Sequence, residues 1–478
     1  MMAEKFDLVI LGSGSTAFAA ALRAAASGHT AAMTEVRTLG GTCANRGCLP
    51  SKNLIEAAKI LYDTKHPRYP GLSPTSMSLD FRALIEQKDA VIEDYRGKKY
   101  QSIVFNSQRI RVFEGSARFS GSNEVTVNGQ VLSAARFLVA TGSSPAVPEV
   151  PGLRDTPYLT SDLLTSHEDI ELTELPVSLI ILGGGYIALE LGQMFSRFGT
   201  SVTILARGAR ILTAYEPEIA QSVAEVFREE GIAIYTKATV SRVHGDERQV
   251  VVTLQVDGRQ KELKAAKLLV ATGRIPNTAQ LGLDLPGVDL DDRGFVKVND
   301  ELRTSAEHVY AAGDVIGSYT GSQMATPVGA QDGGIAAENA LNGKGSHKVN
   351  HAVIPRAIFT DPQVGVVGLS DEEANARGYA CDCRMIPMSL VPRAGAVRET
   401  RGVLKMVADR NTKKVLGVSM HGMNAAEVIH EAAIGLHFGA TIGDFAHLLH
   451  VYPTMSEALK LAALSYTKDV SNMSCCAD

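Results

Sequence analysis

The residues best suited to chemistry lie in Gly40-Gly41-Thr42-Cys43-Ala44-Asn45-Arg46-Gly47-Cys48-Leu49-Pro50-Ser51-Lys52. Cys43 and Cys48 are five residues apart, which on an ideal helix is a separation of about 140°. A bond between them therefore needs a distorted turn. Such a bond is strained, exposed and easily reduced, as a redox pair requires. Lys52 falls four residues after Cys48, on the same helical face, where its charge can stabilise a thiolate or another nearby anion. Two buried thiols beside a surface lysine is the plainer alternative.

The six cysteines fall in three close pairs, too few for a disulfide scaffold in 478 residues. Close pairing suggests redox chemistry or soft-metal binding. Adjacent cysteines close only a strained ring, so Cys475 and Cys476 readily remain dithiols and form a soft-metal ligand set. Cys381 and Cys383 flank Asp382; strand alternation would put both on one face, as an auxiliary metal site or as incidental half-buried thiols.

Two glycine-rich turns address a different chemistry. Gly12-Ser13-Gly14-Ser15-Thr16-Ala17 follows the apolar run Phe6–Leu11, and Gly183-Gly184-Gly185-Tyr186-Ile187-Ala188 follows Leu179–Leu182. A glycine turn between strand and helix lets the backbone approach a pyrophosphate, and the helix N-terminus supplies amide donors. Glu35, ending the strand Ala31–Glu35, is placed to accept from ribose hydroxyls. Arg207 and Arg210 stand at the matching edge of the second unit, where arginine suits a 2′-phosphate and favours NADP over NAD. Either turn taken alone can instead be a packing turn.

These residues need elements to hold them. Each glycine turn sits in a βαβ unit, the first with a helix over Phe18–Ala26 and the second with a helix through Phe198 and a strand Ser201–Leu205. Arg136–Thr141 before Gly142 and Lys267–Thr272 before Gly273 echo each other, so the chain carries a coarse internal repeat. The segment Pro145 to Pro157 marks a boundary before the second unit. After Val309–Asp314 and a helix near Ala330–Asn339, a short polar linker is expected at Gly343–Lys348. The tail reads as α+β: strands at Ala357–Thr360, Val364–Gly368, Lys405–Val407 and Val415–Met420, then helices at Glu427–Phe438 and Ser456–Tyr466.

Composition bounds the rest. A length of 478 residues implies two to four domains. Hydrophobic residues at 45% and charged residues at 21% exclude disorder for most of the chain. A net charge of -5 argues against a general nucleic-acid binder. The absence of a long apolar run argues against a membrane span, and a cytoplasmic protein is expected.

With these motifs in place, the chain resembles the flavin-dependent disulfide oxidoreductases over essentially its whole length. Gly40 to Lys52 is similar to that family's redox signature, and Ala140–Gly142 and Ala271–Asn277 to its segments around the nucleotide sites. Ala311-Ala312-Gly313-Asp314 is similar to its second flavin-contact motif. The resemblance implies an α/β fold with two Rossmann-like nucleotide-binding domains, for FAD and NADPH, and a C-terminal α+β dimerisation domain. The corresponding boundaries are 1–155 and 273–345 for the split FAD part, 156–272 for NADPH, and 346–478 for the C-terminal part.

It also implies cofactor contacts at Gly12, Gly14, Thr16, Ala17, Glu35, Thr42, Lys52, Thr141, Gly142, Gly313 and Asp314. Further contacts are implied at Gly183, Gly185, Glu190, Arg207, Arg210, Gly273 and Arg274. Glu190 looks like the glutamate that pairs with Lys52, and Tyr186 like the tyrosine that covers the flavin until NADPH enters.

Two departures narrow the resemblance. Members that exchange disulfides carry a His-Pro dipeptide followed shortly by Glu; this chain has Tyr452-Pro453-Thr454-Met455-Ser456-Glu457. A phenol, with a reference pKa of about 10, is a poor general base near neutrality. His450 is a weak substitute, about 7 Å from Tyr452 if the segment is extended. Tyrosine there, together with Cys475-Cys476, is similar to the branch of the family that reduces Hg(II).

That resemblance implies Hg(II), arriving as thiol complexes, captured by Cys475 and Cys476 and passed to Cys43 and Cys48 of the other subunit of a homodimer. Tyr452 and Tyr186 then steer or ligate near the metal, Cys48 is the thiolate next to the flavin, and Cys43 is the outer one. Many members of that branch carry an extra N-terminal CxxC module. This sequence starts at the first strand, so delivery by small thiols or another protein is expected. The competing functions are a disulfide reductase acting on lipoamide, glutathione or thioredoxin, and a mercury-sequestering protein without turnover.

Overall fold

Leu8, Val9, Ile10 and Leu11 follow one another without polar alternation, so the strand Glu4–Leu11 must be covered on both faces. Each of the four is 0% exposed, and burying such side chains stabilises by about 1.5–3 kcal/mol apiece. The computed structural model describes residues 3–342 and 347–473. Cys475, Cys476 and part of the expected linker Gly343–Lys348 lie outside the described residues.

Glu4–Leu11 is central in a seven-stranded sheet. It runs parallel to Ala31–Glu35 on one side, with Leu8 opposite Ala31, and to Gln130–Val139 on the other, with Leu11 opposite Val139. Ile110–Glu114 extends the sheet at one edge, and the hairpin Ala117–Gly121 with Glu124–Val127 extends the other. Val309–Ala311 returns from far along the chain to pair in parallel with Gln130–Val139. One apolar core accordingly joins residues between Leu8 and Ala140 with residues between Leu281 and Ala340.

The second unit repeats this grammar in a four-stranded parallel sheet of Ala233–Tyr235, Ser201–Leu205, Ser178–Leu182 and Lys267–Val270. The repeat extends to atomic detail. Gly12 has φ +124, and a Cβ there would lie 2.3 Å from the Ala140 carbonyl oxygen; Gly183 has φ +129, and its Cβ would lie 2.2 Å from the Ala271 carbonyl oxygen. Each glycine thus lets a βα turn press against the end of the neighbouring strand, which is why the two Ala-Thr-Gly segments echo each other.

The tail forms a five-stranded antiparallel sheet in the order Arg356–Ile358, Gln363–Gly368, Val415–Gly422, Val403–Asp409, Cys381–Pro387. The helices Ala425–His437 and Glu457–Leu464 contribute to its core. Short helices at Asp371–Ala376 and Pro392–Ala396 interrupt the strands, so the strands-then-helices order is not kept. Ser370 explains the first of these, because it forms a capping box with Glu373.

Two strand ends differ from expectation. The strand before Gly142 runs Gln130–Val139, leaving Thr141 and Gly142 beyond it, because Gly142 at φ +68 turns the chain out of the sheet. The strand Val309–Ala311 stops before Gly313, which opens a short 3-10 turn, Gly313–Ile316. A three-stranded sheet of Thr239–Gly245, Val250–Val256 and Arg259–Ala265 had no sequence counterpart. Its last strand, Arg-Gln-Lys-Glu-Leu-Lys-Ala, is mostly exposed and carries little apolar signal.

The turn geometry gives a stability contrast. Gly12→Ala places a Cβ into a carbonyl oxygen at positive φ and should cost more than about 3 kcal/mol in thermal or urea unfolding. Gly28→Ala, at φ +86 with nothing within 4 Å of its Cβ, should cost only about 1–2 kcal/mol. Equal losses would remove the packing explanation for Gly12.

Candidate active site

The distorted turn required between the cysteines is present. Gly40, at φ +97, leads into the one-turn helix Gly41–Asn45, and a Cβ at Gly41 would lie 2.7 Å from Gly14 Cα, so this helix rests on the first glycine turn. Asn45 ties it down by donating from Nδ2 to the carbonyls of Leu39 (2.9 Å) and Gly41 (2.8 Å). The helix breaks at Arg46 (φ -150) and Gly47 (φ -122, ψ -107), and a new helix, Cys48–Lys65, begins. The break turns the two thiols toward each other, and Cys43 donates a hydrogen bond to Cys48.

The two sulfurs differ electrostatically. Cys43 is pushed up, first by donating to Cys48 and then by burial. Cys48 is lowered to about 6, first by the bond from Cys43, against burial, and further by Thr326 and the Lys52 charge. Thr326 Oγ1 lies 3.7 Å from Cys48 Sγ. Cys48 is also the first residue of its helix, where the dipole favours an anion. These surroundings favour the thiolate at Cys48 over Cys43.

Lys52 Nζ is 2.7 Å from Glu190 Oε2. Glu190 is 5% exposed and lies in the helix Tyr186–Phe198; its other oxygen accepts from the Phe359 amide at 2.8 Å. Lys52 also stands 4.7 Å over the Phe359 ring. The expected pairing of Lys52 with Glu190 is thus made.

Cys43, Cys48, Lys52, Glu190 and Thr326 line a cavity of about 640 Å³, inside the range of small-molecule sites. Gly12, Gly14, Thr16, Glu35 and Thr42 lie on its wall with Cys43 and Cys48; so do Thr141, Gly142, Tyr186, Arg274 and Asp314. At its far end, Glu35 accepts from Ser13 Oγ (2.5 Å) and from the amides of Arg37 and Thr38. It keeps lone pairs for ribose hydroxyls.

Gly14 and Gly142 leave room on the cavity wall: a Cβ on Gly142 would meet nothing within 4 Å, and one on Gly14 only Gly41 Cα at 3.9 Å. Ser143 Oγ donates to Asp314 Oδ2 at 2.7 Å and holds that carboxylate at the cavity. A slot running from a ribose acceptor, past an open helix N-terminus, to a dithiol fits FAD.

Other expected contacts fall elsewhere. Ala17 is 0% exposed and packs inside the core, where a third glycine of the turn would stand. Gly183, Gly185 and Gly273 are not on the cavity wall; they belong to the second turn, whose helix begins at Tyr186. Tyr186 joins the two places. It is 41% exposed, yet burial of its phenol holds the pKa up to about 12, so it stays neutral.

Arg207 is exposed just past the strand Ser201–Leu205. Arg210 donates from Nη2 to the carbonyls of Thr213 (3.2 Å) and Tyr215 (2.9 Å), shaping its own loop. Arg274 likewise donates to Ser143 Oγ and O, bracing two strands, and lies 3.9 Å from Asp314.

Sequence reasoning missed Thr326, Ser143, Phe359 and Asn277, the last exchanging hydrogen bonds with Thr141. Ser143 and Asn277 abut quoted motifs and were within reach. Thr326 and Phe359 carry no local signal. His450 Nε2 pairs with Glu431 Oε1 at 2.8 Å, and Tyr452 is 48% exposed. Cys381 and Cys383 lie in the edge strand Cys381–Pro387, two apart, with burial raising both thiols.

The electrostatics predict reactivity. In the reduced protein, alkylation at Cys48 should rise with pH through about 6 and then level, since only the thiolate reacts. Lys52→Met should move that midpoint upward by removing a stabilising charge. A midpoint near the ordinary thiol value of about 8.5 would overturn this assignment.

Residues 6–334 match the pyridine nucleotide-disulphide oxidoreductase family model, and residues 354–463 match the dimerisation domain of the same family. The chain is 41% identical to mercuric reductase of Lysinibacillus sphaericus, over 99% of this chain and 85% of that one. It is 38% identical to mercuric reductase of Streptomyces lividans, over 99% and 98%.

The copper(II) complex of the HOCl-induced flavoprotein disulfide reductase RclA from Escherichia coli is 30% identical, with a TM-score of 0.84 over 97% of this chain and 100% of that one. No helix among the described residues is long and apolar enough to cross a membrane. FAD and NADPH are the cofactors of such enzymes, and the α/β fold is theirs. A thiolate at a helix start, a lysine–glutamate pair behind it and two matching nucleotide turns agree with these matches, and the chain belongs to the pyridine nucleotide-disulphide oxidoreductase family.

Proposed function

We propose that this chain reduces Hg(II) to Hg(0) at the expense of NADPH, using the Cys43–Cys48 pair as the metal's final ligands. The observation that carries the proposal is the pairing of a free dithiol, with Cys48 at a helix start beside Lys52, with tyrosine at position 452. Two thiolates suit a soft cation, and a bis-thiolate Hg(II) complex accepts two electrons without a proton donor. Relatives spanning nearly the whole chain are named mercuric reductase, which supports the same substrate.

Bound FAD would take two electrons from NADPH and hand them on at the dithiol. The residues do the rest. Cys48 holds the metal nearest the flavin and Cys43 holds it from outside. On reduction, Hg(II) gains two electrons and leaves as Hg(0); both sulfurs remain thiolates, and NADPH becomes NADP⁺ and a proton. Lys52, fixed by Glu190, keeps positive charge beside the flavin and Cys48. Tyr186, neutral at the cavity wall, separates the flavin space from the nicotinamide approach and moves when NADPH enters. Arg207 and Arg210 sit at the strand edge where a 2′-phosphate would lie.

The protein works as a cytoplasmic homodimer on this reading. Ile434, Phe438, Leu448, Leu449 and Val451 are apolar and exposed within the dimerisation-domain match, and a second copy would cover them. Cys475 and Cys476, outside the described residues, would then take Hg(II) from small-thiol complexes and pass it to the partner's dithiol.

One assay decides. The FAD-loaded protein is mixed with NADPH, excess small thiol and HgCl₂, and absorbance at 340 nm and volatile mercury are followed. Mercury-dependent NADPH loss with volatile metal supports the proposal. Turnover on a disulfide but none on Hg(II) would make the chain a disulfide reductase, and tight binding without NADPH loss would make it a sequestering protein. Tyr452→Phe should lower kcat/KM for Hg(II) about tenfold, the effect of one lost contact of about 1.4 kcal/mol. The Cys475→Ala, Cys476→Ala double variant should be impaired most when strong thiol ligands hold the mercury; equal activity there removes the relay.

A further inference from the structure

Arg46 stands between the two cysteines and has no part in the chemistry above. It is 7% exposed and lies on the wall of the same cavity. Its Nε is buried without a hydrogen-bond partner. The nearby carboxylates are taken: Arg37 Nη1 is 2.6 Å from Asp162, and Arg37 Nη2 is 2.6 Å from Glu168. Burial first, and then repulsion from Arg37, lowers the Arg46 pKa, as expected of a guanidinium without a close anion. A buried guanidinium with an idle N–H is unfavourable until an acceptor completes it.

A second feature of the cavity calls for the same kind of ligand. The 12-residue helix Ser15–Ala26 opens at this wall, its N-cap Gly14 gives no side-chain cap, and its first turn holds no acidic residue. Its free amides and partial positive charge therefore face an uncompensated space. Glu35 marks the ribose end of the cavity and Cys43 the redox end. Arg46 is three residues from Cys43 in sequence and shares the cavity wall with Cys43 and Glu35, which puts it on the stretch between the two ends. In a dinucleotide laid along that path, the stretch between ribose and flavin is the diphosphate.

We propose that Arg46 binds the diphosphate of FAD, completing with its unpartnered Nε–H the anion cradle begun by the helix Ser15–Ala26. The inference rests on the reading of this cavity as the FAD site. Arg46 is a cofactor-anchoring residue and carries no electrons.

The test is cofactor binding to apoprotein, followed by flavin fluorescence, with FAD and with riboflavin, which lacks phosphate. Arg46→Met keeps the apolar stem and removes the charge. It should weaken FAD binding by about tenfold to a hundredfold, the usual effect of losing a charge-assisted hydrogen bond, and leave riboflavin binding unchanged. Raising the salt concentration should weaken FAD binding less in the variant than in the parent. Unchanged FAD affinity overturns the proposal, and so does an equal loss for FAD and riboflavin, which would mean a structural role. If Arg46→Met does not fold, Arg46→Gln, which also removes the charge, is judged by the same comparison. A parent protein that binds no FAD would refute the cavity reading itself, which separates that failure from this one.

Discussion

The Lys52–Glu190 ion pair is the constraint on which the rest of the site depends. Its partners come from helices 138 residues apart in sequence, and the glutamate is simultaneously held by the Phe359 amide from the tail. Three distant segments therefore meet at one carboxylate. Glu190 is almost wholly buried, and a buried carboxylate that lost its cation would cost about 3–5 kcal/mol. The helix Cys48–Lys65, the second nucleotide unit and the tail must therefore keep their relative positions for the charge to stay compensated.

The same packing sets the thiol chemistry. Helix Cys48–Lys65 presents Cys48 at its start and Lys52 one turn on, so fixing Lys52 fixes Cys48. Behind this helix, Arg197 is bound to both Glu230 and Asp361 with 3% of its side chain exposed, and it stacks 4.3 Å from the Tyr62 ring centroid. These buried charges hold the helix Tyr186–Phe198 that carries Glu190. The thiolate is thus the outcome of a charge network extending well past the cavity.

Much of this was legible beforehand. The strands Ala31–Glu35 and Ser201–Leu205 were placed to the residue, because each closes a βαβ unit whose glycine turn and helix fix where the second strand must fall. The glycine turns were legible because their spacing encodes a backbone shape. Polar edge elements such as Arg259–Ala265 were not, since their stability comes from neighbours rather than from periodicity. Arg210 and Arg274 were assigned from position alone, and the fold turns part of each guanidinium to backbone carbonyls that no spacing rule identifies.

The sequence by itself determined the two βαβ units, the repeat, the close cysteine pair and the kind of cofactor, because each depends on residue types a few positions apart. Tertiary structure decided which thiol is the thiolate, that Thr326 and Phe359 serve the site, and that Arg46 is left unpaired in the cavity wall. Those outcomes depend on which charges and dipoles come together across hundreds of residues and on how much water is excluded between them. Electrostatic effects of that kind fall off with distance in space, and distance in space is not written in the order of the chain.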